Sequence, residues 1–209
     1  MIRQNGKHLL FALGLGFGSL TTQPALAFND PDWPCVQRKV VQLSIGQMWT
    51  APLPPEGASW RDDADIARLA PLLAARRTTL EEAETMIAEF AEGADRDARL
   101  TLLFDGIFSI IERDRRRLID GITRYALKQR ALSEKIDADQ AEVAALKEET
   151  AEDDFDALDK LEEREDQLVW DTRIYQDRNK SLTYVCESPV LLEKRAFALA
   201  QLIQAQLKS

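Results

Sequence analysis

Apolar and polar positions fall into three regimes along this chain. Up to Trp60 there is no sustained period: Pro31, Pro34, Pro52, Pro54, Pro55 and Gly57 punctuate the sequence, leaving room for little more than a helical turn near Ser44–Trp49. From Asp62 the spacing becomes helical. Ile66, Leu69, Leu72 and Leu73 predict a helix from about Asp62 to Arg76, with Pro71 bending or restarting it. Thr79 and Glu82 have the spacing at which hydroxyl and carboxylate each satisfy a free amide, so a second helix opens there. Leu80, Ala83, Ile87, Phe90 and Ala91 give it one apolar face, and Gly93 ends it. The two helices are expected to pair through these faces.

The third regime is the longest. No proline interrupts the chain from Asp95 to Glu149, and Ile111, Leu118, Tyr125, Leu132, Asp139 and Leu146 recur every seven residues. Phe108, Ile122, Ile136 and Val143 supply most of the second seam position, and Arg115, Gln129 and Asp139 interrupt the stripe. After a break near 150–154, Leu158, Leu161, Leu168, Tyr175 and Leu182 form a matching stripe. So short a connection predicts antiparallel helices. In that register Ile136 faces Leu168, Ile122 faces Leu182, Asp139 falls near Arg164 and Gln129 near Thr172. Ser188 as N-cap and Pro189 at the first helical position predict a separate final helix over 190–207. The expected fold is therefore all-α: a long antiparallel coiled-coil hairpin over about 105–186, projecting from a small base of helices 62–93 and 190–207. An irregular N-terminal arm over 28–60 precedes the helical domain 61–209, with its tryptophans packed on the helices.

The first residues change how the rest is read. Arg3 and Lys7 precede an apolar run from Leu9 to Leu20, and Pro24-Ala25-Leu26-Ala27 follows, which together predict a cleavable signal peptide over 1–27 and a periplasmic or secreted protein. The run is too short to span a bilayer, and no later segment is apolar enough. Cleavage after Ala27 leaves 182 residues, with 25 basic against 36 acidic and no histidine. A chain without imidazole lacks the side chain that titrates near neutrality and the commonest metal ligand. Strong acidity argues against nucleic acid, whose binding rests on cations neutralising phosphates. Cys35 and Cys186 are the only cysteines, and an even pair in an oxidising compartment predicts a disulfide, with no Cys-x-x-Cys for redox chemistry.

Motifs for catalysis are few. Glu187-Ser188 is similar to the Glu-Ser pair of bacterial lytic transglycosylases, but the Gly-Leu-Met-Gln motif that follows in that family has no counterpart. No Gly-x-Ser-x-Gly elbow, phosphate-binding loop or metal-ligand cluster is present, so no catalytic residues, cofactor or metal are assigned. "DWPCVQRKV", "LFDGIF", "WDTRIYQDR" and "YVCESP" together resemble an uncharacterised family of exported bacterial helical proteins, a resemblance that spans most of the predicted mature chain and implies no activity. The hairpin separately is similar to that of periplasmic adaptor proteins of efflux pumps, whose β-rich domains have no counterpart here.

The expected function is non-catalytic: an interaction or scaffold protein whose hairpin contacts a protein partner in the periplasm or envelope, a homodimer through the hairpin being a variant. Trp170 and Arg173 are residue types enriched in binding hot spots, and Phe155 lies at the hairpin tip. The alternative is a module for divalent cations or a cationic ligand at an acidic tip of Glu152, Asp153, Asp154 and Asp156. An EF-hand is not supported, because Glu142 stands where its glycine is required.

Overall fold

A computed structural model describes Asp30 and residues 32–208. The predicted signal peptide lies outside the described residues. Among the described residues a 3₁₀ turn, Ile45–Gln47, precedes four helices: α1 (Ala64–Ala74), α2 (Leu80–Phe90), α3 (Arg96–Glu149) and α4 (Phe155–Gln204). The fold is all-α, and its main contact is the antiparallel packing of α3 on α4. At about 1.5 Å per residue, α3 is roughly 80 Å long.

Local signals fix the short helices. Asp63 caps α1, its carboxylate accepting from the amides of Asp65 and Ile66, and Thr79 and Glu82 close a reciprocal box on α2. Pro71 sits inside α1 without ending it. α1 packs mainly on α3 and α2 on α4, and Leu69 and Leu72 of α1 share a groove with Met86 and Phe90 of α2, so the two short helices meet as parts of a larger assembly. The reason lies in the base. Its core joins Ile66, Leu73, Ile87, Leu103, Phe104 and Ile203, a larger apolar assembly than two short helices offer each other. Gly106 lets α1 and the arm come this close, since a Cβ there would lie 3.0 Å from the Trp60 ring and 3.2 Å from the Ala70 Cβ.

Two rings anchor the arm to the helices, while Trp33 bonds within the arm itself. Trp49 is buried and stacks on Phe104 at 4.5 Å, Trp60 is buried over Gly106, and Trp33 donates from Nε1 to the Gln37 carbonyl at 2.6 Å. Cys35 and Cys186 form a disulfide across 151 residues of sequence, tying the arm to α4.

The largest departure from the sequence pattern is at Pro189. α4 runs through it without a break, so no separate helix starts at 190 and Ser188 is no N-cap: its Oγ donates to the Tyr184 carbonyl at 3.4 Å. A proline inside a helix forfeits a hydrogen bond and costs about 3 kcal/mol. Pro189 is buried, with Leu182, Cys186, Ala196, Leu199 and Ile203 buried along the same helix, and their packing on α3 and the base holds the axis together.

One carboxylate carries a pH prediction. Asp105, on α3 in the base, is half-buried, and desolvation pushes its carboxyl above the usual range against a weaker opposing pull from Arg61. A folded-state pKa above the unfolded value means stability that is full at low pH and falls as pH rises through the folded pKa. Asp105→Asn is therefore expected to raise the melting temperature at pH 7 and to leave it nearly unchanged near pH 3, read by thermal denaturation at both.

Candidate docking surface on the hairpin

The seam that holds the hairpin is mixed. Ile122, Ile136, Val143 and Leu182 are buried in it at predicted seam positions, as are the interrupting Arg115 and Gln129, and Ile119, next to the predicted Leu118, is buried as well. Gln129 donates from Nε2 to the Tyr175 carbonyl at 3.2 Å, rather than meeting Thr172, and the Tyr125 hydroxyl donates to the Arg178 carbonyl at 3.1 Å. Asp139 does not pair with Arg164. Lys135 donates to Asp139 at 2.6 Å and to Asp171 at 2.7 Å, while Arg164 reaches Glu142 at 2.7 Å. Lys135, with Gln167, holds the Asp171 carboxyl below the ordinary range, so this crosspiece between the helices persists until pH falls through that lowered value.

Where the arm crosses the hairpin, two buried charges read its backbone. Arg115 Nη2 donates to the Val40 carbonyl at 2.6 Å, and Glu112 Oε1 accepts from the Leu43 amide at 3.3 Å. Only 3.8 Å separates the two side chains, both nearly fully buried, and Glu193 approaches Arg115 to 3.9 Å. Asp32 pairs with Arg130 at 2.9 Å further along α3. The arm thus runs back along α3 toward the base, fixed at Arg130, at the disulfide and at the Glu112–Arg115 pair.

The predicted contact residues lie elsewhere. Trp170 is 60% exposed on the side of α4 turned away from the seam, with the Arg173 guanidinium 5.9 Å from its ring centre. Tyr184 and Leu191 continue that side and are also exposed, Tyr184 at 76%, with Ile174 beside them; Asp177 stands between, and the exposed Val185 lies at the seam flank, fourteen residues on from the buried Asp171. Sequence reasoning found only the first of these, although Trp170, Tyr184 and Leu191 are themselves separated by multiples of seven. Toward the C-terminus the same side of α4 is covered by the base, where Arg195 Nε donates to the Leu73 carbonyl at 2.9 Å. α4 therefore has two helical rows: one spent on α3, the other open from Trp170 to Leu191.

The tip does not assemble the acidic residues into a site. Asp154 caps α4 by accepting from the Ala157 amide at 3.0 Å, and Phe155 is 76% exposed at the helix start. Glu152, Asp153 and Asp156 are exposed around the turn, and among the described residues no three acidic, cysteine or histidine side chains converge to hold a metal. Acidity extends instead along the whole distal half. Residues 131–169 hold 15 acidic and 4 basic side chains, a net charge of −11, while the rest of the described chain balances at 21 of each. Next to it, residues 113–130 of α3 carry 7 basic and 2 acidic side chains.

Among the described residues no helix is long and apolar enough to cross a membrane. The chain matches no family model, no curated protein and no solved structure.

Proposed function

We propose that the protein is a non-catalytic scaffold of an oxidising, exported compartment such as the periplasm, and that its hairpin binds a protein partner along the outer side of α4. The observation that carries this reading is the exposed row of Trp170, Tyr184 and Leu191, with Ile174 beside it, on a helix whose other row is already packed. Large exposed apolar side chains aligned on one helix face are what a second helix buries. The strongly acidic distal half beside the row favours a helix whose own apolar stripe is flanked by Lys and Arg. The disulfide supports the compartment, since such a bond persists where thiols are oxidised.

The test places a photoreactive residue at Trp170 or at Tyr184 in cells. One dominant foreign protein, crosslinked through a basic amphipathic helix from both positions, is the expected result. Crosslinks only to further copies of this chain, or none, overturn the reading. Trp170→Ala is expected to weaken capture from position 184 by at least about tenfold, in the range for loss of a hot-spot aromatic. Its circular dichroism should be unchanged, because the ring is largely exposed and lies outside the seam and the core. Unaltered capture removes Trp170 from the surface.

A further inference from the structure

The charge pattern of α3 is complementary to itself. Its basic stretch, residues 113–130, is adjacent to the acidic distal half, so the helix reads positive then negative along one continuous rod. At the heptad positions farthest from the seam, Leu127, Ala131, Ala138, Ala141 and Ala145 are small or apolar and exposed, with the exposed Arg124 and Glu134 set among them. The arm leaves them exposed, since it is fixed at Arg130, beside this face, and at the buried Arg115 and Glu112 on the seam side. A face of mostly small side chains, basic toward one end and acidic toward the other, selects an antiparallel partner of the same kind, because a parallel one would set basic beside basic and acidic beside acidic.

We propose that this face of α3 docks a second copy of the chain, antiparallel, around a two-fold axis midway between Ala131 and Glu134. The register is set by the charges. Placing Arg117 opposite Glu148 of the second copy also places Arg116 opposite Glu149, Lys128 opposite Asp137 and Leu127 opposite Ala138, each twice by symmetry. The one like-charged match, Arg130 with Lys135, involves cations already paired with Asp32 and with Asp139 and Asp171. Alanines let the two helix axes come close, and the flanking ion pairs fix direction and register more than they add affinity. The open row on α4 stays free in this arrangement, so the inference stands apart from the proposal about the foreign partner.

Analytical ultracentrifugation of the disulfide-bonded protein tests it. At about 0.1 mM protein and about 0.02 M salt the chain should sediment as a dimer, with the dissociation constant rising about tenfold or more by about 0.3 M salt as the pairs are screened. Two double variants then read the register. Arg116→Glu with Arg117→Glu, and separately Glu148→Arg with Glu149→Arg, should each be monomeric, because each sets like charges against each other in its own dimer. Mixed in equal amounts, the two should form a heterodimer, since every reversed position then meets its opposite. Circular dichroism of each variant, unchanged from the wild type, shows that the exposed substitutions leave the hairpin intact. A wild type that stays monomeric at low salt overturns the inference. So does a dimer that survives the reversals or the high salt, as an exchanged hairpin would, and so does a mixture that stays monomeric.

Discussion

Replacing Glu112 with Leu is expected to destabilise the protein by about 3 kcal/mol or more, because the guanidinium of Arg115 then stays buried without its nearest carboxylate. The two side chains are 5% and 3% exposed, and 3.8 Å apart. Leu also removes the acceptor of the Leu43 amide, so a backbone donor in the arm loses its bond as well. Glu193, 3.9 Å from Arg115 and partly exposed, compensates only in part. The informative comparison is the double change Glu112→Leu with Arg115→Met. Removing both charges takes away the penalty of an orphaned ion, and a buried pair replaced by apolar groups is often close to neutral. Urea unfolding should therefore place the double variant well above the single one. Equal stability of the two would mean that Arg115 finds adequate solvation without Glu112, and that the pair's role is confined to reading the arm.

Breaking the disulfide should have the largest effect. Cys35→Ser with Cys186→Ser releases a loop closed across 151 residues of sequence, for which chain-entropy arguments give about 5 kcal/mol. The bond is also the middle of three fixed points of the arm, between the Asp32–Arg130 pair and the Glu112–Arg115 pair. Loss should thus be uneven. Amide exchange should rise first over 32–41, where the arm carries exposed valines at Val36, Val40 and Val41, while Trp49 and Trp60 hold the remainder in the base. A uniform rise across the whole chain would instead mean that the arm and the base unfold as one unit.

How far the sequence reaches depends on the kind of force involved. The hairpin is legible because seven-residue spacing in one helix must be answered by the same spacing in its partner, and Ile122, Ile136 and Leu182 are buried where that rule puts them. The cysteine pairing is legible for a simpler reason: two residues leave one bond. Pro189 shows the opposite situation. Ser188-Pro189 is a strong local start signal, yet packing along Leu182, Cys186, Ala196 and Leu199 outweighs it, and no local pattern reports the strength of a distant core. The path of the arm is hidden in the same way, since it is set by Arg115 and Glu112 holding backbone groups of residues that show no period at all. On the candidate surface, Trp170 stands out by residue type alone. Tyr184 and Leu191 emerge only once it is known which side of α4 faces α3, and the charge blocks emerge only when counted over segments as long as the hairpin arms.

Pro189 has a mechanical meaning. It sits where α4 leaves the base, and its ring leaves the helix one internal hydrogen bond short, three residues from the Cys186 end of the disulfide. From there to Phe155 the helix extends about 50 Å. Small angles at the root become large displacements at the far end: a change of about 10° would sweep the tip through roughly 9 Å. α3 has no proline and runs unbroken beside this weak point, like a splint along a notched beam. Bending that keeps α3 straight is restrained by the whole seam, whereas bending both helices together is resisted mainly by α3. The stiffness of the hairpin is accordingly set at its root, where the unbroken α3 and the packing around Pro189 carry the load that the helix backbone of α4 does not.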